Sequence, residues 1–376
     1  MRILKGIWRA AACLLLATPA WAADLTVVQV ADYSGSRASL GLALRYGARL
    51  AIEDANRNGG VKGRSVRFVA LDDRYTPTET VRLLRESVIS EAPLAIVNIL
   101  GTGTTGAVLA DGVLTEAGIA LIGPYTGADA LREPVNPQVF HVRVSYGEEV
   151  DRIAAHFASI GAKRVGLLRE SGAFGDAISA AFDAAAANHG LEIVARGVTP
   201  EGSDDVAAGV ATVAAAQPEG VLLGTAGQPT SRLVKATHEA GILAARMMLS
   251  VNDLDQIREF AGSKASRGVG KVAVMPDPQA CTLPLCRELE QLHAAHGDPS
   301  QSLTPNTVEG YISARAFLTA LARVSGEPTR EKLRSALETA GQMDFGGFTL
   351  TYSPTRHNGS TFMDVGVLGS GGRIMY

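Results

Sequence analysis

Short apolar runs rich in β-branched residues alternate along this chain with segments whose apolar positions recur every three or four residues. Residues 25–31, 66–72, 94–100 and 119–123 are predicted strands. Between the first two, Leu40, Ala43, Leu44, Gly47, Leu50, Ala51 and Ala55 keep helical spacing until Gly59 and Gly60 stop the helix. Helices are also predicted over 76–91 and 105–117. After a further strand at 140–144 the rhythm restarts, with strands at 164–169, 192–198, 220–225, 246–251 and 271–275. Helices at 148–159, 174–189, 204–216 and 230–240 separate them. Strand–helix–strand alternation of this kind builds a parallel sheet covered by helices on both faces, so two doubly wound α/β domains are expected.

The last hundred residues argue for interleaving rather than a simple tandem. A helical block at 285–295, 307–324 and 329–340 follows the second domain's last strand, with Pro328 opening the final helix. From 346 to 376 the pattern alternates instead, through Phe348, Leu350 and Tyr352 and then Phe362, Val365 and Val367, which predicts a terminal β-hairpin.

The amino terminus reads as an export signal. Arg2, Lys5 and Arg9 surround an apolar segment at 10–17, and Ala20-Trp21-Ala22 places small residues three and one before a cut after Ala22. Cys13 lacks the preceding Leu and spacer of a lipoprotein site. The apolar segment is too short to span a bilayer, so a free periplasmic protein is expected. Loss of the three basic residues takes the formal net charge from −3 to −6. No Lys/Arg block offers a nucleic acid an electrostatic stripe.

Export also bears on Cys281 and Cys286, which remain as a pair in an oxidising compartment and read as a local disulfide; two free thiols are the alternative. A zinc site would need His293 and His296 as well, a weak signal with this spacing, so no metal is expected.

Candidate chemistry centres on Gly101-Thr102-Gly103-Thr104-Thr105-Gly106, a G-x-G-x-x-G that follows a strand and opens a helix. A dinucleotide would need an acid at the end of the next strand. That strand runs into Pro124-Tyr125-Thr126, and no cofactor is expected. A Gly-rich loop with Thr104 and Thr105 at a helix start suits a single carboxylate, and a plain Thr-capped turn is the alternative. The seven histidines are scattered, no nucleophile motif is complete, and Asp72-Asp73 on one strand point to opposite faces, so an enzyme is not expected.

An ordered series of short matches runs the length of the chain. Tyr33-Ser34-Gly35, Gly41, Gly47-Ala48, the stretch 51–60 with Val61-Lys62-Gly63-Arg64, Asp72-Asp73 and Pro77 resemble the start of type I periplasmic binding proteins of the leucine/isoleucine/valine-binding group. These are the solute receptors of ABC importers. The likeness continues through 118–124, Phe140 with Arg143, Phe174-Gly175, Ala240-Gly241, Glu309-Gly310-Tyr311 and Gly346-Gly347-Phe348.

The resemblance implies a periplasmic binding protein type I fold, two Rossmann-like doubly wound lobes joined by three crossings. One lobe is expected to comprise 24–143 plus 276–341 and the other 144–275 plus 342–376, after a signal peptide at 1–22. It places a ligand carboxylate at Thr104, Thr105, Tyr125, Thr126 and Gly127, and side-chain contacts at Leu40, Phe174 and Ala226. The acid that would hold an amino acid's ammonium belongs near Ser250-Val251-Asn252, where Asn252 stands and no acid precedes Asp253. A branched-chain or other amino acid, or an aromatic or organic acid, is the expected ligand, a membrane permease the expected partner and a monomer the expected state. A ligand-sensing receptor that feeds a signalling partner is the alternative.

Overall fold

A computed structural model of the chain describes residues 25–369 and the backbone of 374–375; the predicted signal peptide lies outside the described residues. The first half runs β1 (Leu25–Ala31), α1 (Ala38–Arg57), β2 (Val66–Asp72), α2 (Pro77–Ser90), β3 (Ala95–Val97), α3 (Thr102–Asp111), α4 (Val113–Ala117), β4 (Ala120–Ile122) and β5 (Val139–Phe140). Its strands lie parallel in the order β2-β1-β3-β4-β5.

The second half repeats the plan through α5 (Tyr146–Ser159), β6 (Arg164–Glu170), α6 (Gly172–His189), β7 (Glu192–Thr199), α7 (Ala207–Ala216), β8 (Gly220–Gly224), α8 (Gln228–Glu239), β9 (Ala245–Met248), α9 (Leu254–Ser266) and β10 (Val269–Ala273). These strands lie parallel in the order β7-β6-β8-β9-β10. Each lobe thus has a doubly wound sheet in which strand order reverses beside its first strand, between β1 and β3 and between β6 and β8. Open α/β sheets leave a crevice at such a reversal, at the carboxyl ends of the strands.

The chain then crosses back. Helices α10 (Pro284–His296), α11 (Pro305–Arg323) and α12 (Arg330–Glu338) follow β10, and α11 packs along α1 on the first sheet. The hairpin β11 (Gly341–Asp344) and β12 (Thr349–Tyr352) comes next. Finally β13 (Asp364–Leu368) pairs antiparallel with β10, and β14 (Ile374–Met375) with β13, extending the second sheet.

Several sequence expectations are corrected. The helix expected at 105–117 begins at Thr102 and is broken by Gly112, whose φ of 83° ends α3 and starts α4. The segment 94–100 is strand only over β3, because Asn98 at φ 50° turns the chain out of the sheet. Pro328 precedes the α12 cap, Thr329, whose hydroxyl accepts from the Lys332 N–H, so it does not open the helix itself. The tail is not one terminal hairpin: β12 pairs back to β11, and β13 joins the second sheet. Helix α9 has no counterpart among the predicted helices; its sequence is largely polar and is interrupted at Gly262, φ 81°.

Close helix packing and one strained turn shape this scaffold. Helices α1 and α11 approach through glycines: a Cβ on Gly47 would stand 1.9 Å from the Thr307 carbonyl oxygen, and one on Gly310 would stand 2.1 Å from that of Leu44. At the end of β2, Arg74 (φ 51°) and Tyr75 (φ 58°) are both left-handed, a costly pair of conformations for non-glycine residues. Asp73 holds that turn by accepting the Tyr75 N–H at 2.9 Å and the Thr80 hydroxyl at 2.7 Å. Burial pushes the Asp73 carboxyl up to about 6, against the pull of those donors.

Gly47→Ala and Gly310→Ala should each lower stability by about 2–3 kcal/mol, since backbone on the facing helix must shift. Urea unfolding measures this, and an unchanged midpoint would contradict the close helix contact. For Asp73, a carboxyl whose pKa is raised on folding binds its proton more tightly in the native state. Its stabilising contribution is therefore present at low pH and is lost as pH rises through 6. The stability of the wild type relative to Asp73→Asn should fall by about 2 kcal/mol between pH 4 and pH 7. A difference that stays constant with pH would refute the buried, titrating carboxyl.

Candidate functional site

The site is built from the loops that leave the carboxyl ends of strands in both sheets. After β1, the fully buried Asp32 carboxylate accepts N–H groups from Ser34 at 3.1 Å, Gly35 at 2.5 Å and Arg37 at 2.7 Å, which winds the loop tightly into α1. The wound loop carries Arg37 out of the first lobe and into the second. There its guanidinium pairs with the Glu170 carboxylate at the end of β6 and donates to the Ala226 carbonyl beyond β8. Both charged side chains are buried, 1% and 0% exposed. Burial works against both charges. It raises the Glu170 pKa despite Arg37, whereas Glu170 more than restores the charge on Arg37. Tyr75 lies beside the guanidinium, with Cζ 5.5 Å from its ring centroid.

Beside this ion pair is a narrow pocket that opens to solvent, with about 270 Å³ of space between its walls when the open mouth is included. The first lobe contributes Arg37, Leu40, Tyr75, Tyr125 and the run 100–102; the second contributes Tyr146, Phe174, Ala226 and Val251. The Tyr146 and Phe174 rings meet edge to face at 5.3 Å, an arrangement aromatic pairs favour. Gly101, at φ 109°, lets the chain turn from β3 into α3, and a Cβ there would strike the Tyr75 ring at 2.5 Å. Helix α3 therefore starts on the cavity wall, and its first amides have no acceptor within the helix. Thr102 hydrogen-bonds Thr126 at 2.8 Å, joining the α3 start to the loop after β4.

Buried charges brace these walls from behind. Arg143 makes a two-point ion pair with Glu309 on α11, both bonds 3.0 Å, and lies 4.3 Å from the Tyr125 ring centroid. The Tyr125 hydroxyl donates to Asn306 at 2.7 Å. Glu149 accepts the backbone N–H and hydroxyl of Ser250, at 2.9 and 3.0 Å, so α5 holds the loop that presents Val251.

The residues expected from sequence divide into three groups. Leu40, Tyr125, Phe174 and Ala226 line the cavity. Thr126 and Gly127 form the adjoining loop: Thr126 bonds Thr102, and a Cβ on Gly127 would strike Tyr146 at 2.5 Å. Thr104, Thr105 and Asn252 are buried but do not line it. The Thr104 hydroxyl bonds back to the carbonyls of Leu100 and Gly101, and the Thr105 hydroxyl is buried with no partner and caps nothing. Asn252 accepts the Gly227 N–H at 3.0 Å and donates to the Thr225 carbonyl at 3.0 Å, holding the Ala226 loop in place.

Sequence reasoning missed Arg37, Tyr75, Thr102, Tyr146 and Glu170. Thr102 lies inside the glycine-rich motif; the others carry no local spacing signal. Asp72 and Asp73 serve neighbouring loops, Asp72 accepting the Tyr33 N–H and the Ser34 hydroxyl. The Cys281 and Cys286 sulfurs are joined, their Cα atoms 6.3 Å apart, at the start of α10 and away from the cavity. Among the described residues, no group of three or more His, Cys, Asp or Glu is placed to hold a metal.

Comparison with known proteins agrees with this geometry. The family model for periplasmic binding proteins matches residues 24–373. Leu/Ile/Val-binding protein homolog 3 of Brucella melitensis is 26% identical over 347 residues, 91% of each chain. A substrate-binding periplasmic protein of Ralstonia solanacearum superposes with a TM-score of 0.89 at 33% identity, over 94% of this chain and 99% of that one. A possible leucine/isoleucine/valine-binding protein of Rhodopirellula baltica gives 0.89 at 25%, over 96% and 98%. Two doubly wound lobes facing each other across a cavity at their strand ends, with this match along the whole described chain, make the protein a member of the periplasmic binding protein family.

Proposed function

We propose that this chain is the substrate-binding component of an ABC importer, which traps a small carboxylate-bearing solute between its lobes and presents it to a membrane permease. One observation carries the reading: the start of α3 and the Arg37 guanidinium line the same otherwise apolar cavity. Orphan amides at a helix start and a buried guanidinium both favour an anion. The remaining wall, Leu40, Tyr125, Tyr146 and Phe174, suits an apolar body behind the carboxylate. Periplasmic location and small-solute binding are the properties of the family, and the Brucella relative is named for leucine, isoleucine and valine.

The mechanism follows from the shared walls. A solute that touches Thr102 in one lobe and Phe174 in the other gains contacts only when the lobes are together, so binding shifts the population toward closure. A single chain supplies both walls, and one copy suffices for capture.

Calorimetric titration with L-leucine, L-valine, benzoate and 4-methylpentanoate should find at least one that binds one to one. Saturation with it should reduce the radius of gyration in solution scattering. Thr102→Val should weaken that solute ten- to a hundredfold, about 1.5–3 kcal/mol, and should also lower the thermal midpoint, because the buried Thr126 hydroxyl loses the Thr102 hydroxyl. Absence of binding by all four acids, or an affinity unaffected by Thr102→Val, would contradict the carboxylate cleft.

A further inference from the structure

The cavity offers a solute a positive end and apolar walls. Arg37 is the one charged side chain among the described residues that line it, and none of those is acidic. Glu170, paired with Arg37, is fully buried and is not on the lining; one of its carboxylate oxygens bonds Arg37 and the other is buried without a partner. Of the other nearby carboxylates, Asp32 is engaged with the N–H groups of Ser34, Gly35 and Arg37, Glu149 with Ser250, and Asp253 with the first amides of α9, while the exposed Glu201 acts on Arg37 and Glu170 but is not on the lining. An α-amino acid would bring an ammonium into this space, and an ammonium leaves water only when an acid receives it. Arg37, in contrast, keeps its Nε buried without an acceptor, a charged donor that a carboxylate oxygen can satisfy.

We infer that Arg37 determines the charge type of the solute: its guanidinium, seated on Glu170, already holds the cation that an amino acid's ammonium would supply, so the cleft selects a monocarboxylate without an amino group. This rests on the carboxylate reading of the cleft and narrows it. The pair Arg37–Glu170 is neutral as a unit, and the start of α3 adds a partial positive charge. A carboxylate is drawn to that positive end, whereas an ammonium meets no acid on the lining. The rings of Tyr75, Tyr125, Tyr146 and Phe174 then favour an aromatic or branched hydrocarbon body.

Pairs of probes that differ only in the ammonium test this: L-leucine against 4-methylpentanoate, and L-phenylalanine against 3-phenylpropanoate, by calorimetric titration. Wild-type protein should bind each deamino acid at least tenfold more tightly than its amino acid. Arg37→Met uncovers Glu170, and the preference should shift toward the amino acid by at least tenfold. The double variant Arg37→Met/Glu170→Gln removes both charges; it should lose affinity for the deamino acids and gain none for the amino acids. Circular dichroism establishes that each variant is folded, and if Arg37→Met alone does not fold, the wild-type ratio and the double variant decide. Tighter wild-type binding of the amino acids, or a ratio unaltered by Arg37→Met, would overturn the role of Arg37 while leaving the carboxylate cleft intact. Absence of binding by all four probes and by L-valine and benzoate would overturn both.

Discussion

The buried ion pair between Arg37 and Glu170 is the interaction on which the arrangement of this molecule turns. It joins residues 133 positions apart, one at the cap of the first helix of the first lobe and one at the end of the first strand of the second. Two buried charges are costly to take out of water, and removing one partner of such a pair typically destabilises by about 3–5 kcal/mol. The lobes can therefore keep this geometry only while both partners remain in place. Arg37 is in turn held by the Asp32 loop, and its second bond to the Ala226 carbonyl reaches a loop that Asn252 braces. Positions that seem unrelated along the chain thus form one mechanical path across the cleft.

The fold supplies what such a path needs. Both sheets reverse strand order beside their first strand, so β1 and β6 deliver their following loops to the crevice where the lobes face each other. Glycines set the distances. Gly47 and Gly310 let α11 lie against α1, and Gly101 and Gly127 let the α3 start and the loop after β4 approach Tyr75 and Tyr146. The Arg143–Glu309 pair links the chain just after β5 to α11, on the segment that returns from the second lobe. The aromatic walls consequently stand on a closely packed base.

Much of this is legible in sequence because it is periodic or local. The strand–helix alternation marks every strand of the two parallel sheets to within a few residues, and the strand ends then locate Leu40, Tyr125, Phe174 and Ala226 on the cavity wall. Helix α9 escapes because its apolar residues Leu254, Ile257 and Phe260 are sparse and Gly262 interrupts it. Thr104 and Thr105 are reasonable anion donors by motif, yet α3 starts three residues earlier than expected, which places Thr102 at the wall and turns the other two inward. Arg37, Tyr75 and Tyr146 have no pattern to mark them, since each reaches the site through a loop conformation or a helix cap. Glu170 is invisible for a different reason: as one more polar residue at a strand end, it acquires meaning only from a cation in the other lobe.

The most direct test of this account is the interlobe distance itself. Ile89 on α2 and Leu243 before β9 are both exposed and lie near the amino ends of their sheets, on the outer sides of the lobes. Spin labels at Ile89→Cys and Leu243→Cys, with the native disulfide intact, would report lobe separation by pulsed dipolar spectroscopy. With solute saturating, the account predicts one dominant, narrow distance in otherwise wild-type protein and a redistribution of weight to other distances when Arg37→Met or Glu170→Gln is added. Coincident distributions in all three proteins would contradict an ion pair that holds the lobes together.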